Sequence, residues 1–385
     1  MVREPLSGDS PVPRRPSRFH RRSIALGISV AAVVLVAACG PISYYSQAVW
    51  GGAKLMAQRK PIDELLRRGH LPPEVEERLE TALDIRDFAS RVLSLPDNRS
   101  YRSYVETGRD AVTWNVVAAP ALSVEPRFWC FPIAGCVSYR GYFRKRQAER
   151  FAARLEAEGM DTRVVPVAAF STLGWFADPL LDTFLRYPDW QLAGLLFHEL
   201  AHQVVYVTDD TTFNESFATV VEIEGTRRWL AEEGRASEIE QATEAMAEQA
   251  RFSHILLRLR ACLEDAYVSP ASDVEKRSRK AELFAWAQEE GQEAILRGEL
   301  SAVYSAWFSA PLNNADVAAV ADYEAYVPEL IELFEEQGSF PAFYRAVEEL
   351  AALDPLQRQR RLAPSRSEVE SLGVCPGDGR VTLNR

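Results

Sequence analysis

Between Pro73 and Asp97 the apolar residues Val75, Leu79, Leu83, Phe88, Val92 and Leu93 recur at helical spacing. That period predicts a helix within a helical region over residues 39–110, and Leu95-Pro96-Asp97-Asn98 breaks it. The pattern then changes. Val112–Ala119 is a β-branched, apolar run of strand length, Val137–Phe143 suits a second strand and Arg163–Phe170 a third. Lys145–Glu158 has the composition of a helix with Phe151 and Leu155 inward, and Gly159 closes it. Residues 111–176 therefore read as a small mixed sheet with one helix on it.

From Asp189 onward the helical period dominates. Asp189 follows Pro188 and is placed to cap one helix, and Asn214 to cap the next, Glu215–Glu232. A long amphipathic helix runs from about Ser237 to Tyr267, and further helices fill 280–298, 316–337 and 340–352. Ser269–Arg279 is polar and reads as an exposed turn; residues 354–385 read as a polar, loosely held tail. The expected fold class is α+β: predominantly helical, a small mixed β-sheet ahead of a helix pair at 189–233, and a helical C-terminal part at 234–353.

The first residues follow another rule. Residues 1–23 carry six arginines and two acids, with prolines at 5, 11, 13 and 16, and Ile24–Ala38 has no charge at all. A basic segment followed by an apolar run of this length reads as a secretion signal, and the run is short for a spanning helix. It ends in Val36-Ala37-Ala38-Cys39-Gly40, which resembles a bacterial lipobox. That resemblance implies cleavage after residue 38, a lipid on the Cys39 thiol, and a place in the cell envelope facing the periplasm or the exterior. Removing residues 1–38 would move the formal net charge from −11 to −15, by the loss of six arginines and two acids. Such a surface disfavours nucleic acid, and nothing in the sequence marks a protein partner. The membrane is reached through the lipid. The remaining length, 47% hydrophobic over the whole chain, is enough for a sizeable core. Besides Cys39 there are Cys130, Cys136, Cys262 and Cys375, an even set that an oxidising compartment allows to pair. Cys130 and Cys136 are the expected pair, since Pro132 and Gly135 between them suit a tight loop.

The chemistry concentrates in His198-Glu199-Leu200-Ala201-His202. Histidines four apart share one helix face, so both imidazoles can grip one Zn²⁺, with Glu199 beside them as general base. The chain has five histidines and 55 acids. Chance then yields about 0.01 such patterns per chain. Catalytic zinc takes three protein ligands and keeps one position open. After the turn-prone Thr208-Asp209-Asp210-Thr211-Thr212, Glu215 opens the second helix and is the candidate third ligand. Glu222 lies two turns on, placed to hold a histidine N–H, with Asn214 also beside the ligands. His254 and His70 read as ordinary surface or core residues.

His198–Gln203 together with Asn214-Glu215-Ser216-Phe217-Ala218 resembles the bacterial Aminopep family. Further stretches that fit it are Trp114–Pro120, Trp129-Cys130-Phe131-Pro132, Tyr139–Phe143, Ser171–Phe176 and Leu312-Asn313-Asn314-Ala315. The Asn-Glu-x-Phe-Ala block also resembles the zinc-glutamate segment of the large gluzincin aminopeptidases, though the link from His202 to Glu215 is shorter here. The resemblance implies a zincin-like fold over 39–353, one Zn²⁺, and a peptide substrate cut from its N-terminus. The other readings are a zinc endopeptidase and a non-catalytic, lipid-anchored scaffold in which zinc only locks the helices. In zincins an exposed strand precedes the histidine helix and binds the substrate backbone. Val164–Trp175 holds that place, with Ser171, Thr172 and Gly174 allowing close approach. Tyr139, Arg140, Tyr142, Tyr304 and Tyr323 are candidate oxyanion donors, and Glu222, Asp178 and Asp210 candidate acids for a substrate ammonium.

Overall fold

The computed structural model describes residues 43–362, except 132–134, 170, 171, 173 and 325, together with 375 and 376; for 320–324 it describes the backbone. The segment 1–38, Cys39 and Ser171 lie outside the described residues, as does the Tyr323 side chain. Residues 43–52 form a helical unit by themselves, and everything from Ala53 belongs to a second unit. Among the described residues no helix is long and apolar enough to cross a membrane.

The second unit is mostly helical with small sheets, an α+β chain. It begins with β1 (Lys60–Pro61), α1 (Ile62–Arg68), α2 (Pro73–Arg91) and β2 (Ser103–Val105). Helix α2 buries Leu79, Ala82, Ile85 and Phe88, the face set by the apolar spacing. Next come β3 (Thr113–Pro120), β4 (Trp129–Phe131), β5 (Gly135–Val137), β6 (Tyr139–Tyr142), α3 (Lys145–Ala157) and β7 (Met160–Val167). The sheet in this region has the order β6-β3-β7 and both pairings are antiparallel, so it is not mixed. The parallel pairing falls elsewhere, between β2 and β8 (Leu180–Leu181). Cys130 and Cys136 are bonded across the β4–β5 hairpin.

Then follow α4 (Asp182–Leu185), α5 (Asp189–Ala201), α6 (Thr211–Glu232), α7 (Ala236–Val268) and α8 (Asp273–Leu296). Asp189 is the first residue of α5 rather than its cap: its carboxylate pairs with Arg78 from α2 and with Arg235 at 2.8 Å. Helix α6 starts before Asn214, and its cap is Asp210, which accepts the Phe213 N–H at 3.1 Å. Ser269–Arg279 is largely helical, because Ser272 and Glu275 form a capping box that opens α8. The expected single helix over 316–337 is two, α10 (Asn314–Glu324) and α11 (Val327–Gln337), after the short α9 (Ser305–Ser309). Pro328 occupies the first turn of α11, where its missing N–H costs no hydrogen bond.

Helix α12 (Phe340–Ala351) is followed by α13 (Pro355–Arg361), so the described start of the expected polar tail is helical. Arg358 on α13 is buried; it donates to the carbonyls of Ala351 and Leu353 and pairs with Asp210 at 2.8 Å. The C-terminal helix thereby fastens the cap of α6. A second disulfide, Cys262–Cys375, ties residue 375 to α7.

Helices α5 and α6 cross at two glycines. A Cβ on Gly225 would meet Phe197 Cδ2 at 2.8 Å and Leu93 Cδ1 at 2.9 Å, and one on Gly194 would crowd Glu222 at 3.1 Å. The absent side chains let the two backbones approach closely. That approach brings Glu215 and Glu222 of α6 to the histidines of α5.

Candidate metal centre

His202 keeps right-handed helical dihedrals as the C-cap of α5, so the four-residue spacing from His198 survives to the helix end. The two rings stand with centroids 4.9 Å apart and nearly perpendicular. The link back to α6 is held at several points. Asn214 accepts the Val207 N–H at 2.7 Å and donates to the Val207 carbonyl at 2.8 Å. Asp209, in the left-handed region at φ 67°, accepts the Cys136 N–H at 2.5 Å, which docks the disulfide hairpin on the reversal. Asp210 caps α6 and is itself held by Arg358. Glu215 is thus delivered by a fixed turn.

Glu215 Oε2 lies 3.2 Å from His198 Nε2 and 3.7 Å from His202 Nε2, and one ligand atom from each residue falls within 4.8 Å of the others. Donors 2.0–2.2 Å from a tetrahedral ion stand about 3.4 Å from each other. Two imidazole nitrogens and a carboxylate oxygen at these separations could hold one metal ion. On the far side of its ring, His198 Nδ1 is 3.0 Å from Glu222 Oε2. A carboxylate there fixes the ring and leaves Nε2 facing the ligand group. His202 Nδ1 is buried with no hydrogen-bond partner among the described residues. Glu199 follows His198 on the same helix and is partly exposed.

Burial disfavours charge on His198, but the carboxylates of Glu215 and Glu222 outweigh it and hold its pKa well above the ordinary histidine value. Burial alone would raise Glu215, whereas the two imidazoles hold it well below the usual carboxylate range. Both carboxylates therefore favour a proton on His198. A metal ion bound through His198 Nε2 would have to displace that proton. Its affinity is expected to rise by up to about tenfold per pH unit from pH 6 to 8. Chelator competition at pH 6, 7 and 8 checks this, and a flat profile contradicts it.

The other sequence candidates fall in several places. Tyr142 is buried on Phe151, and Arg140 lies over the same ring at 4.6 Å, so both help pack α3 on the sheet. Tyr139 packs with Val117, Ala315 and Ala318 between the sheet and α10. Tyr304 donates to Gln249 at 3.1 Å and stacks on Phe252 in a separate core. Asp210 is committed to capping, and Glu222 to His198. Asp178 is fully buried and accepts the Thr172 N–H at 2.9 Å; burial, together with the nearby charge of Glu199, lifts its pKa to about 6. Strand β7 ends at Val167 and does not reach residue 175; the Trp175 N–H bonds to the Thr172 carbonyl, and Gly174 has φ 79°. Asn314 turns out to be a structural junction, joined to the Pro120 carbonyl, Asp161 and Tyr267. His254 and His70 are exposed. Tyr206 escaped the sequence reading. It is half-buried, and burial together with the charges of Glu215 and Asp209 raises its phenol pKa. Its position in the short link between His202 and Glu215 is the signal that could have found it.

Residues 43–362 match the Aminopep family, described as "putative aminopeptidase". No curated protein and no solved structure matches the chain.

Proposed function

Since the chain belongs to the Aminopep family, we propose that it is a zinc-dependent, zincin-like peptidase of the gluzincin type. The observation that carries this reading is the convergence of His198, His202 and Glu215 on one point beside Glu199. His198 and His202, through Nε2, and Glu215 would hold one Zn²⁺. Bound zinc would supply Lewis acidity, polarising a peptide carbonyl and making hydroxide available near neutral pH. Glu199 accepts the proton from the attacking water and returns it to the leaving amine. Glu222 holds the His198 ring. Tyr206, whose phenol pKa is raised by burial and by the charges of Glu215 and Asp209, would be the donor that steadies the developing oxyanion.

A structural zinc is closed by four protein ligands. Among the described residues the cluster offers three, which favours catalysis over a scaffold. The family description favours removal of residues from a free N-terminus over internal cleavage. The lipobox-like Cys39 supports a lipid-anchored protein acting on peptides outside the cytoplasm. Digestion of a defined peptide mixture, with and without a chelator, tests the reading. Chelator-sensitive cuts at free N-termini are expected, and N-acetylated peptides are expected to resist.

A further inference from the structure

Trp175 and Phe176 are 68% and 63% exposed, while Phe184, nearby in sequence, is buried. Exposed aromatic rings are unremarkable one at a time. Two features set these apart.

The first is how firmly they are presented. Thr172 anchors the turn: its hydroxyl accepts the Phe176 N–H at 3.0 Å and donates to the Phe176 carbonyl at 3.2 Å, and its carbonyl accepts the Trp175 N–H at 3.1 Å. The Thr172 N–H is held by buried Asp178, whose own carbonyl accepts the Tyr101 N–H at 2.6 Å. Arg59 donates to the Ala177 carbonyl. These bonds hold the backbone at Thr172 and at Trp175–Ala177, beside two solvent-facing rings.

The second feature is where the turn sits. A Cβ on Gly174 would lie 3.2 Å from Gln203 Cγ, so the turn rests on the residue directly after His202. The turn therefore lies against the C-terminal end of the histidine helix.

We infer that Trp175 and Phe176 form an apolar seat for a hydrophobic side chain of the peptide substrate next to the scissile bond. This rests on the peptidase reading. Rings already held in place lose little freedom when they bind, so covering them with an apolar side chain goes into affinity. A substrate with a serine at that position gains nothing from them.

The test is binding, not turnover. The zinc-loaded full chain carrying Glu199→Gln is titrated calorimetrically with alanine pentapeptides in which one position at a time is leucine or serine. At one position leucine is expected to bind at least tenfold more tightly than serine. Trp175→Ala with Phe176→Ala is expected to erase that difference, with zinc content and melting temperature unchanged, and Trp175→Phe with native Phe176 to keep most of it. Equal affinities at every position, or a preference that survives the double alanine variant, would overturn the inference. So would rings that bind phosphatidylglycerol vesicles in place of peptide. The two claims separate: a wild-type chain that hydrolyses peptides without an apolar preference sinks this inference alone, and one that shows the preference but never hydrolyses sinks the peptidase reading alone.

Discussion

Glu199→Gln is expected to keep its zinc and to lose peptide hydrolysis, with kcat falling by about 10³-fold. The side chain changes by one atom and keeps its volume, so α5 and the histidine positions should persist. What disappears is the ability to take a proton from water and deliver it to the leaving amine. Glu199 is partly exposed and is not among the three clustered ligands, so metal content should stay at one ion per chain. A loss in kcat with KM nearly constant would mark a step in the chemistry and not in binding. Full activity in a zinc-loaded Glu199→Gln protein would remove the general base and the proposed mechanism with it.

Glu215→Ala should act one step earlier. Its carboxylate sits between the two Nε2 atoms, and removing it leaves two imidazoles to hold a divalent cation. Zinc content after dialysis is expected to fall from one per chain to near zero, and hydrolysis with it. Excess zinc should restore little of that activity, since the charge that balances the cation is also gone. The metal-free variant should report a further change. Without Glu215, His198 loses the first of the two carboxylates that raise its pKa. Its proton should therefore leave at a lower pH than in the wild-type apoprotein, visible by NMR titration. A Glu215→Ala protein that retains a full complement of zinc would mean that another group completes the site.

The clustering of His198 and His202 was legible because it depends on local geometry. Four-residue spacing on a helix brings His198 and His202 together whatever the rest of the chain does. Glu215 was legible because the link from His202 is short and turn-prone. The devices that aim it were not. Asp210 rather than Asn214 caps α6, because Asn214 is drawn into the helix to grip both polar groups of Val207. Arg358 lies far along the sequence and looks like part of a charged tail, yet it is buried against Asp210. No local pattern announces such a long-range ion pair. Two misses were within reach: Ser272-Asp273-Val274-Glu275 carries a capping-box signature, and Pro328 marks a helix start. The strand expected to run to residue 175 stopped early because Thr172 folds its hydroxyl back on the chain and Gly174 adopts a left-handed conformation.

The central claim is that this cluster binds zinc and that the zinc-loaded chain hydrolyses peptides. One measurement addresses it most directly: mass-spectrometric digestion of a defined peptide mixture by the purified chain, as isolated, after chelation, and after zinc is restored. The account predicts N-terminal trimming that stops with the chelator and returns with zinc. Unchanged cleavage after complete metal removal, or no cleavage by a chain holding one zinc ion, would contradict it.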